Sequence, residues 1–544
     1  MRFLLLLSFE LISAAAILNA VVHPVNRLSN NFPGSPITNG ISVSGGGSRS
    51  FSAATGQFRA LQNIGNIADR VDAISTVSGG TWFTSIFMFQ NSYTDEELLG
   101  RITYPHLLTL KHLNEQSNPL SEPVTNNLNP VLTSMKRNGT PTNLIWQSAI
   151  ARNFLDPFHI GNMSLFMAGN LADVEKILKR NPGLSREDFL VQRKTAEFIM
   201  GGILEAAVGY QPNYNNVASF QMTPSYVGSP FAPNLVGKVI YHSSSNTKIV
   251  RVGGGFIESF AFGKQVERQV FNNVQVDDNE SAFSLAHAVG ISSAAFTKMF
   301  SRISNLRHLT PSVNYSPIGG LNHDNIETVA GDGGNLEGTG LLALLARNAS
   351  LVLVLDNPST QLPSSSQINY CNPRVWENAK SATDLGISPT DKVASFFGFA
   401  KSQTNLDKPK TWYGHNHVFL MEQMEDLFCQ VQMLMDEGKP AVVRGKYTTI
   451  NNSFWGISAN RSVEVMWVLL TKCSEFEKKL PQETQEAIQL GDDGPFANFP
   501  HFKTAFQNGK DITMYTRPQV NLLAAQTEYT IIENKGRIKE FFQL

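Results

Sequence analysis

The chain has 544 residues, 42% of them hydrophobic, with 44 basic against 45 acidic side chains. That length allows one elaborated α/β unit with a substantial core. The balanced charge leaves no basic stripe, which argues against nucleic acid as a partner and against strong electrostatic attraction to anionic membranes; contact with lipid would be mainly hydrophobic, and 35 phenylalanines supply surface for it.

The N-terminus runs Met1-Arg2, then apolar stretches Phe3–Leu7 and Leu11–Ala20, with small residues at Ala14-Ala15-Ala16. This is the layout of a secretory leader, interrupted by Glu10, with cleavage expected after Ala16 or Ala20. Residues 1–20 are therefore read as a signal peptide and 21–544 as one domain. The expected location is secreted or lumenal, in an endomembrane or lysosome-like compartment. Seven N-x-S/T sequons, at Asn138, Asn162, Asn279, Asn314, Asn348, Asn451 and Asn460, agree with a glycoprotein. No later apolar run is long and uncharged enough to span a bilayer. The three cysteines, Cys371, Cys429 and Cys473, lack metal spacing, and an odd number cannot all pair. One disulfide with a free thiol, or three buried thiols, both stay open.

Ile41–Ser44 reads as a strand, followed by Gly45-Gly46-Gly47 and a helix over about Phe51–Gln62. Val71–Val77 reads as the next strand, and after Ser78 a helix starts near Gly80. Strand, glycine-rich turn and helix, repeated, is the pattern of an α/β fold: a three-layer sandwich around a central, mainly parallel sheet. From about 95 to 280 the pattern is less regular and reads as a cap or insertion. There Trp146, Ile150 and Phe154 fall at helical spacing, as do Phe198 and Ile203. Lys238–His242 and Lys248–Val252 read as a hairpin around Ser243–Asn246. The α/β pattern returns with a strand at Ile326–Ala330, a helix at Leu341–Arg347 and a wholly apolar strand at Leu351–Leu355. Residues 360–410 are polar and loop-like.

Three short motifs carry chemistry together, although each has an ordinary structural reading. Ser78 stands on a strand-to-helix turn with glycines behind it, where its hydroxyl is pushed toward a substrate and the helix end favours negative charge. Consecutive glycines at 45–47 let backbone N–H groups face a cavity, as an oxyanion hole requires. Asp332, in Gly331-Asp332-Gly333-Gly334 directly after a strand, can accept the serine proton.

Gly45-Gly46-Gly47-Ser48-Arg49, Val77-Ser78-Gly79-Gly80-Thr81-Trp82 and Gly331-Asp332-Gly333-Gly334, in that order, resemble the catalytic domain of cytosolic phospholipases A2 and fungal lysophospholipases, and more distantly patatin-like lipid hydrolases. Phe499–Thr504 and Gln519–Ala524 look like the closing part of the fungal type. The resemblance implies a Ser78–Asp332 dyad without histidine. It also implies an oxyanion hole from Gly46, Gly47 and Gly79, and Arg49 facing a phosphate or otherwise stabilising the site. It further implies a phospholipid or lysophospholipid substrate met at a membrane or micelle surface, with no metal and no cofactor. No calcium-binding C2-type module is expected. One departure is Thr76, where the family elbow usually has glycine two residues before the serine; a β-branched residue there is bulkier and stiffer.

Two other readings remain. An α/β-hydrolase triad could use Ser78, Asp356 and either His415 or His417. A lipid-binding protein of weak activity could keep the same fold, with Thr76 as its mark.

Overall fold

The structure, a computed structural model, describes residues 17–544 except 26–30, 209, 212–216, 231–233, 240–246, 252, 279–280, 302–305, 317, 319–324, 380, 388–392, 400–411 and 505–512. The strands that frame the site are β1 (Ile17–Pro24), β2 (Asn39–Val43), β3 (Ala73–Val77), β4 (Glu197–Ala207), β5 (Ala218–Met222), β6 (Tyr226–Ser229), β7 (Gly255–Glu258), β8 (Val266–Val270), β9 (Asn273–Asp277), β10 (Ile326–Asp332), β11 (Leu351–Asp356), β12 (Ala441–Thr448) and β13 (Ser462–Leu469). The helices are α1 (Gly47–Asn63), α2 (Gly79–Phe89), α3 (Leu285–Ser292), α4 (Leu341–Ala346), α5 (Gln423–Asp436) and α6 (Arg517–Glu533).

The main sheet has fourteen strands. Its middle is parallel, in the order β4-β3-β2-β11-β13. Parallel neighbours need crossover connections, and α1 supplies one between β2 and β3. The flanking strands are antiparallel: β12 closes one side, and β5, β6, β7, β1, β9 and β8 continue the other. The sheet is thus mixed as a whole, with the expected parallel pattern concentrated at its centre.

Side chains alternate across a strand, and both faces here are covered. Leu353 and Leu355 of β11 pack with α1, α2 and α6, whereas Val352 and Val354 pack with α4 and α5 on the other face. This is the three-layer arrangement the apolar run of β11 implied. On the first face α6 lies hard against α1. A β-carbon at Gly56 would fall 1.8 Å from the Ala524 carbonyl oxygen. Thr527 Oγ1 donates to Ala53 O at 2.8 Å, and a buried Arg59–Glu528 ion pair of 2.8 Å ties the same helices.

Several expectations change. Phe198 and Ile203 lie on a strand, β4, not a helix, and face opposite cores; a segment apolar on both faces has no periodicity to read. Of the region expected as a cap, the described residues from Glu197 onward are mostly strand, and most of its helices lie between α2 and β4. Trp146 and Ile150 do share a helix, Ile145–Ile150, which continues through a wider π turn carrying Phe154. The hairpin is formed by Asn234–Val239 and Thr247–Arg251, and its connection lies outside the described residues. Cys371 and Cys429 form a disulfide while Cys473 is buried and free, which selects the first cysteine reading. The polar 360–410 stretch contains short helices, Pro373–Asn378 and Val393–Phe396. Ala20 sits inside β1, paired with Val274, and residues 1–16 lie outside the described residues. Among the described residues no helix is long and apolar enough to cross a membrane.

Candidate active site

Ser78 links β3 to α2 with φ 54° and ψ −122°, a conformation that L-residues rarely adopt. Strain of this kind costs about 1–3 kcal/mol and persists only where the surroundings hold it. The turn is crowded. A β-carbon at Gly80 would lie 2.7 Å from the carbonyl oxygens of Val43 and Ser44, so the glycines after the serine are required by space. Thr76, the departure from the family elbow, is fully buried and is accommodated: its hydroxyl lies 2.9 Å from that of Thr81.

The placement of Asp332 is decided on β4. Strand β3 runs parallel to β4 and ends with Val77 opposite Gly201. Strand β10 runs antiparallel to β4 and ends with Asp332 opposite Gly202. The other edge of β4 is taken by β5. The ends of β3 and β10 therefore meet head to head along one edge of a third strand. Ser78 Oγ donates to Asp332 Oδ2 at 2.8 Å, and the Gly334 amide donates to Oδ1 at 2.7 Å. Two residues 254 positions apart in sequence become hydrogen-bonded partners.

The glycine loop closes over this pair. Gly46 and Gly47 have φ of 146° and 55°. Gly45 donates its amide to Gly338 O, but among the described residues the amides of Gly46, Gly47 and Gly79 donate to no protein acceptor. They sit at the N-terminal ends of α1 and α2, where free N–H groups and the helix dipole favour an anion. These are the three residues expected to form the oxyanion hole. Arg49 is buried on the first turn of α1. Its Nε donates to Asn357 O and its Nη1 to Phe502 O, both at 3.0 Å. Nη2 lies beside Gly46: a β-carbon there would be 2.8 Å from it. Burial pulls the guanidinium pKa down, opposed by Tyr515 and Asp356. Arg49 thus ties the glycine loop to the end of β11 and to the Phe499–Thr504 segment, and lends the loop positive potential.

Ser78, Asp332, Gly46, Gly47 and Arg49 line one cavity of about 270 Å³, whereas Gly79 stands behind its wall against Gly47. Trp82, Trp146, Asn335, Asp356, Tyr413 and Thr504 share its wall. Two of these carry buried donors with no partner among the described residues, Trp82 Nε1 and Asn335 Nδ2. Sequence reasoning passed over Asn335, Tyr413 and Ser292, because nothing local marks them. Asn335 does stand three residues after Asp332, a spacing that places it on the same turn.

The alternative triad is not assembled. Asp356 reaches the cavity, but among the described residues no histidine lines it. The His415 ring stacks on Phe454 at 4.3 Å, and His417 Nε2 bonds to Phe419 O at 2.9 Å. Among the described residues no group of three or more His, Cys, Asp or Glu is placed to hold a metal.

No protein-family model matches the chain, and no curated protein matches it. Among solved structures it is similar to human GIVD cytosolic phospholipase A2, with 13% identity and a TM-score of 0.42, over 93% of this chain and 60% of that one. It is likewise similar to the same human enzyme in complex with methyl gamma-linolenyl fluorophosphonate, at 13% identity and a TM-score of 0.40, over 93% of this chain and 58% of that one. The chain therefore spans about three-fifths of the length of the structures it matches.

Proposed function

We propose that the chain is a serine lipid acyl hydrolase that cleaves fatty-acyl esters of phospholipids or lysophospholipids through an acyl-enzyme. The observation that carries this reading is the Ser78 Oγ–Asp332 Oδ2 hydrogen bond of 2.8 Å beside three unshared glycine amides. Ser78 Oγ attacks the ester carbonyl carbon and its proton passes to Asp332. The carbonyl oxygen becomes an oxyanion held by the amides of Gly46, Gly47 and Gly79, a contribution of about 10²–10³ in rate for each donor of such a hole. The intermediate collapses, the C–O bond to the alcohol breaks, and Asp332 returns the proton to the leaving oxygen. Water then attacks the acyl-serine with Asp332 again as base, releasing the fatty acid and restoring Ser78. The Gly334 amide on Oδ1 keeps the other oxygen of Asp332 aimed at the serine.

Trp82 and Trp146 offer apolar wall for an acyl chain, while the unpartnered donors of Trp82 and Asn335 suit ester or phosphate oxygens. Arg49 adds positive potential at the same end of the cavity. A secreted or lumenal location is supported by the Cys371–Cys429 disulfide, because disulfides persist in oxidising compartments. Five sequon asparagines, Asn138, Asn162, Asn348, Asn451 and Asn460, are exposed and fit a glycoprotein. The lipid is met at a membrane or micelle surface, peripherally.

The test is hydrolysis of a phospholipid and lysophospholipid panel in calcium-free buffer by wild type, Ser78→Ala, Asp332→Asn and Asp356→Asn. Loss of activity by at least about 10³-fold in the first two variants, with Asp356→Asn retaining substantial activity, is the expected result. Full hydrolysis by Ser78→Ala overturns the reading. No activity in any form favours a lipid-binding protein instead.

A further inference from the structure

A chain of buried hydroxyls lies behind the nucleophile. Thr76 Oγ1 is 2.9 Å from Thr81 Oγ1, which is 2.9 Å from Ser292 Oγ. Ser292, the last residue of α3, donates to Gly201 O at 2.7 Å and receives the backbone N–H of Ser78 at 3.2 Å. All three hydroxyl residues are fully buried.

The donor inventory fixes the direction of every bond. A hydroxyl has one proton and two lone pairs. The Ser292 proton is committed to Gly201 O, and one lone pair takes the Ser78 amide. Thr81 must therefore donate to the second lone pair, and Thr76 must donate to Thr81. Ser292 is saturated, and the chain runs Thr76 to Thr81 to Ser292 to Gly201.

Both ends of that chain matter. Its start is Thr76, where the resembled elbow has glycine. Its end is the carbonyl of Gly201, opposite Val77 and packed on the Asp332 turn: a β-carbon at Gly333 would lie 2.6 Å from that oxygen. Ser292 thus bonds the backbone of the nucleophile on one side and the strand residue that seats the base on the other. It also occupies the Ser78 amide, so that N–H is not among the donors left for an oxyanion.

We propose that Ser292, with Thr76 and Thr81 behind it, is a positioning residue that holds Ser78 in its left-handed conformation and in register with Asp332. This rests on Ser78 being the nucleophile. Without the Ser292 hydroxyl the Ser78 amide loses its acceptor and the elbow is free to relax. Misplacement of a reacting atom by about 1 Å is enough to cost on the order of 10²-fold in rate.

The test compares wild type with Ser292→Ala, Thr76→Val and Thr76→Ser. The probe is a long-chain alkyl fluorophosphonate: the Ser78 Oγ–P bond forms, the P–F bond breaks with loss of fluoride, and the serine proton passes to Asp332. It reads the nucleophile without knowledge of the natural lipid. The expected result for Ser292→Ala is labelling and kcat reduced about tenfold or more, KM within about twofold, and faster hydrogen exchange of the peptide that contains Ser78. Thr76→Val moves the same readouts in the same direction, and Thr76→Ser, which keeps the donor, restores them. Labelling of Ser292→Ala at the wild-type rate overturns the proposal. Should Ser292→Ala fail to fold, the Thr76 pair decides: equal rates for Thr76→Val and wild type overturn it. A wild type that labels at Ser78 but hydrolyses no lipid removes the substrate reading and leaves this one standing, whereas a wild type that takes no label overturns both.

Discussion

Gly79 approaches Gly47 so closely that a β-carbon on Gly79 would lie 2.2 Å from the Gly47 carbonyl oxygen. The start of α2 and the start of α1 are thus locked together. Gly79→Ala is expected to push the glycine loop away and lower kcat/KM by about 10²–10³, the range for losing an oxyanion donor, with a fall in thermal stability. Gly536, whose added β-carbon would meet nothing within 4 Å, is the control. Gly536→Ala should leave activity intact and stability equal or raised by up to about 1 kcal/mol, as helix propensity predicts. Steady-state kinetics and thermal unfolding of the two variants check this, and an active Gly79→Ala enzyme would contradict the placement of the oxyanion hole.

Trp82 and Asn335 separate binding from stability. Each has a buried donor without a partner among the described residues. An apolar replacement removes a desolvated group at no loss of a bond in the free protein. Asn335→Leu and Trp82→Phe, the latter able to keep the stack on Phe154, should leave the melting temperature unchanged or higher. KM should rise by about 2- to 10-fold, the worth of one neutral hydrogen bond to substrate. Unchanged KM with lowered stability would assign both donors to the fold instead.

His287 ties stability to pH. It sits in the first turn of α3, where its Nδ1 accepts from the Ser284 amide at 3.2 Å, and burial pushes its pKa from 6.5 down to about 4. Between those values the unfolded chain binds a proton that the folded chain refuses, so this contribution falls as pH drops from about 6.5 to about 4. His287→Gln keeps a capping-box residue and removes the titration. The stability difference between wild type and variant should shift toward the variant across that window, by up to about 3 kcal/mol at its acid end. Partly buried carboxylates such as Glu197, whose pKa desolvation raises, act in the opposite sense but cancel in the difference. Urea unfolding at several pH values reads it; parallel curves would refute it.

The N-terminus offers a cleavage test. Strand β1 begins at Ile17, and Ile17–Ala20 pair with Asp277–Val274. Removal of residues 1–16 leaves that ladder whole, whereas removal of 1–20 deletes half of the strand. Cleavage of the leader read in the sequence is expected to leave a protein that begins at or before Ile17, which N-terminal sequencing checks. A protein starting at Val21 should unfold at a lower temperature than one starting at Ile17.

Much of the centre of this fold was legible in the residues. Strands β2, β3 and β11 and helix α1 were found close to their bounds, because an apolar run bounded by glycine is a local signal. Ser78, Gly46, Gly47, Gly79, Arg49 and Asp332 were each marked by glycine-rich turns at strand ends, and all but Gly79 line one cavity. Strand β4 was misread because its two faces are both apolar, so its residues carry no period. The role of Arg49 was only half legible, since its partners are the carbonyls of Asn357 and Phe502, 308 and 453 residues away.

The sequence by itself determined which residues could do chemistry and which turns could expose them, since backbone crowding at a glycine and the apolarity of a buried strand are local properties. It favoured Asp332 over Asp356 as the partner of Ser78 only through the resemblance of its motifs, because locally both follow strands. That choice was made by the tertiary structure. β10 runs down the same edge of β4 that β3 runs up, so their ends meet at Gly201 and Gly202, and a carboxylate from one strand end comes within hydrogen-bonding distance of a hydroxyl from the other.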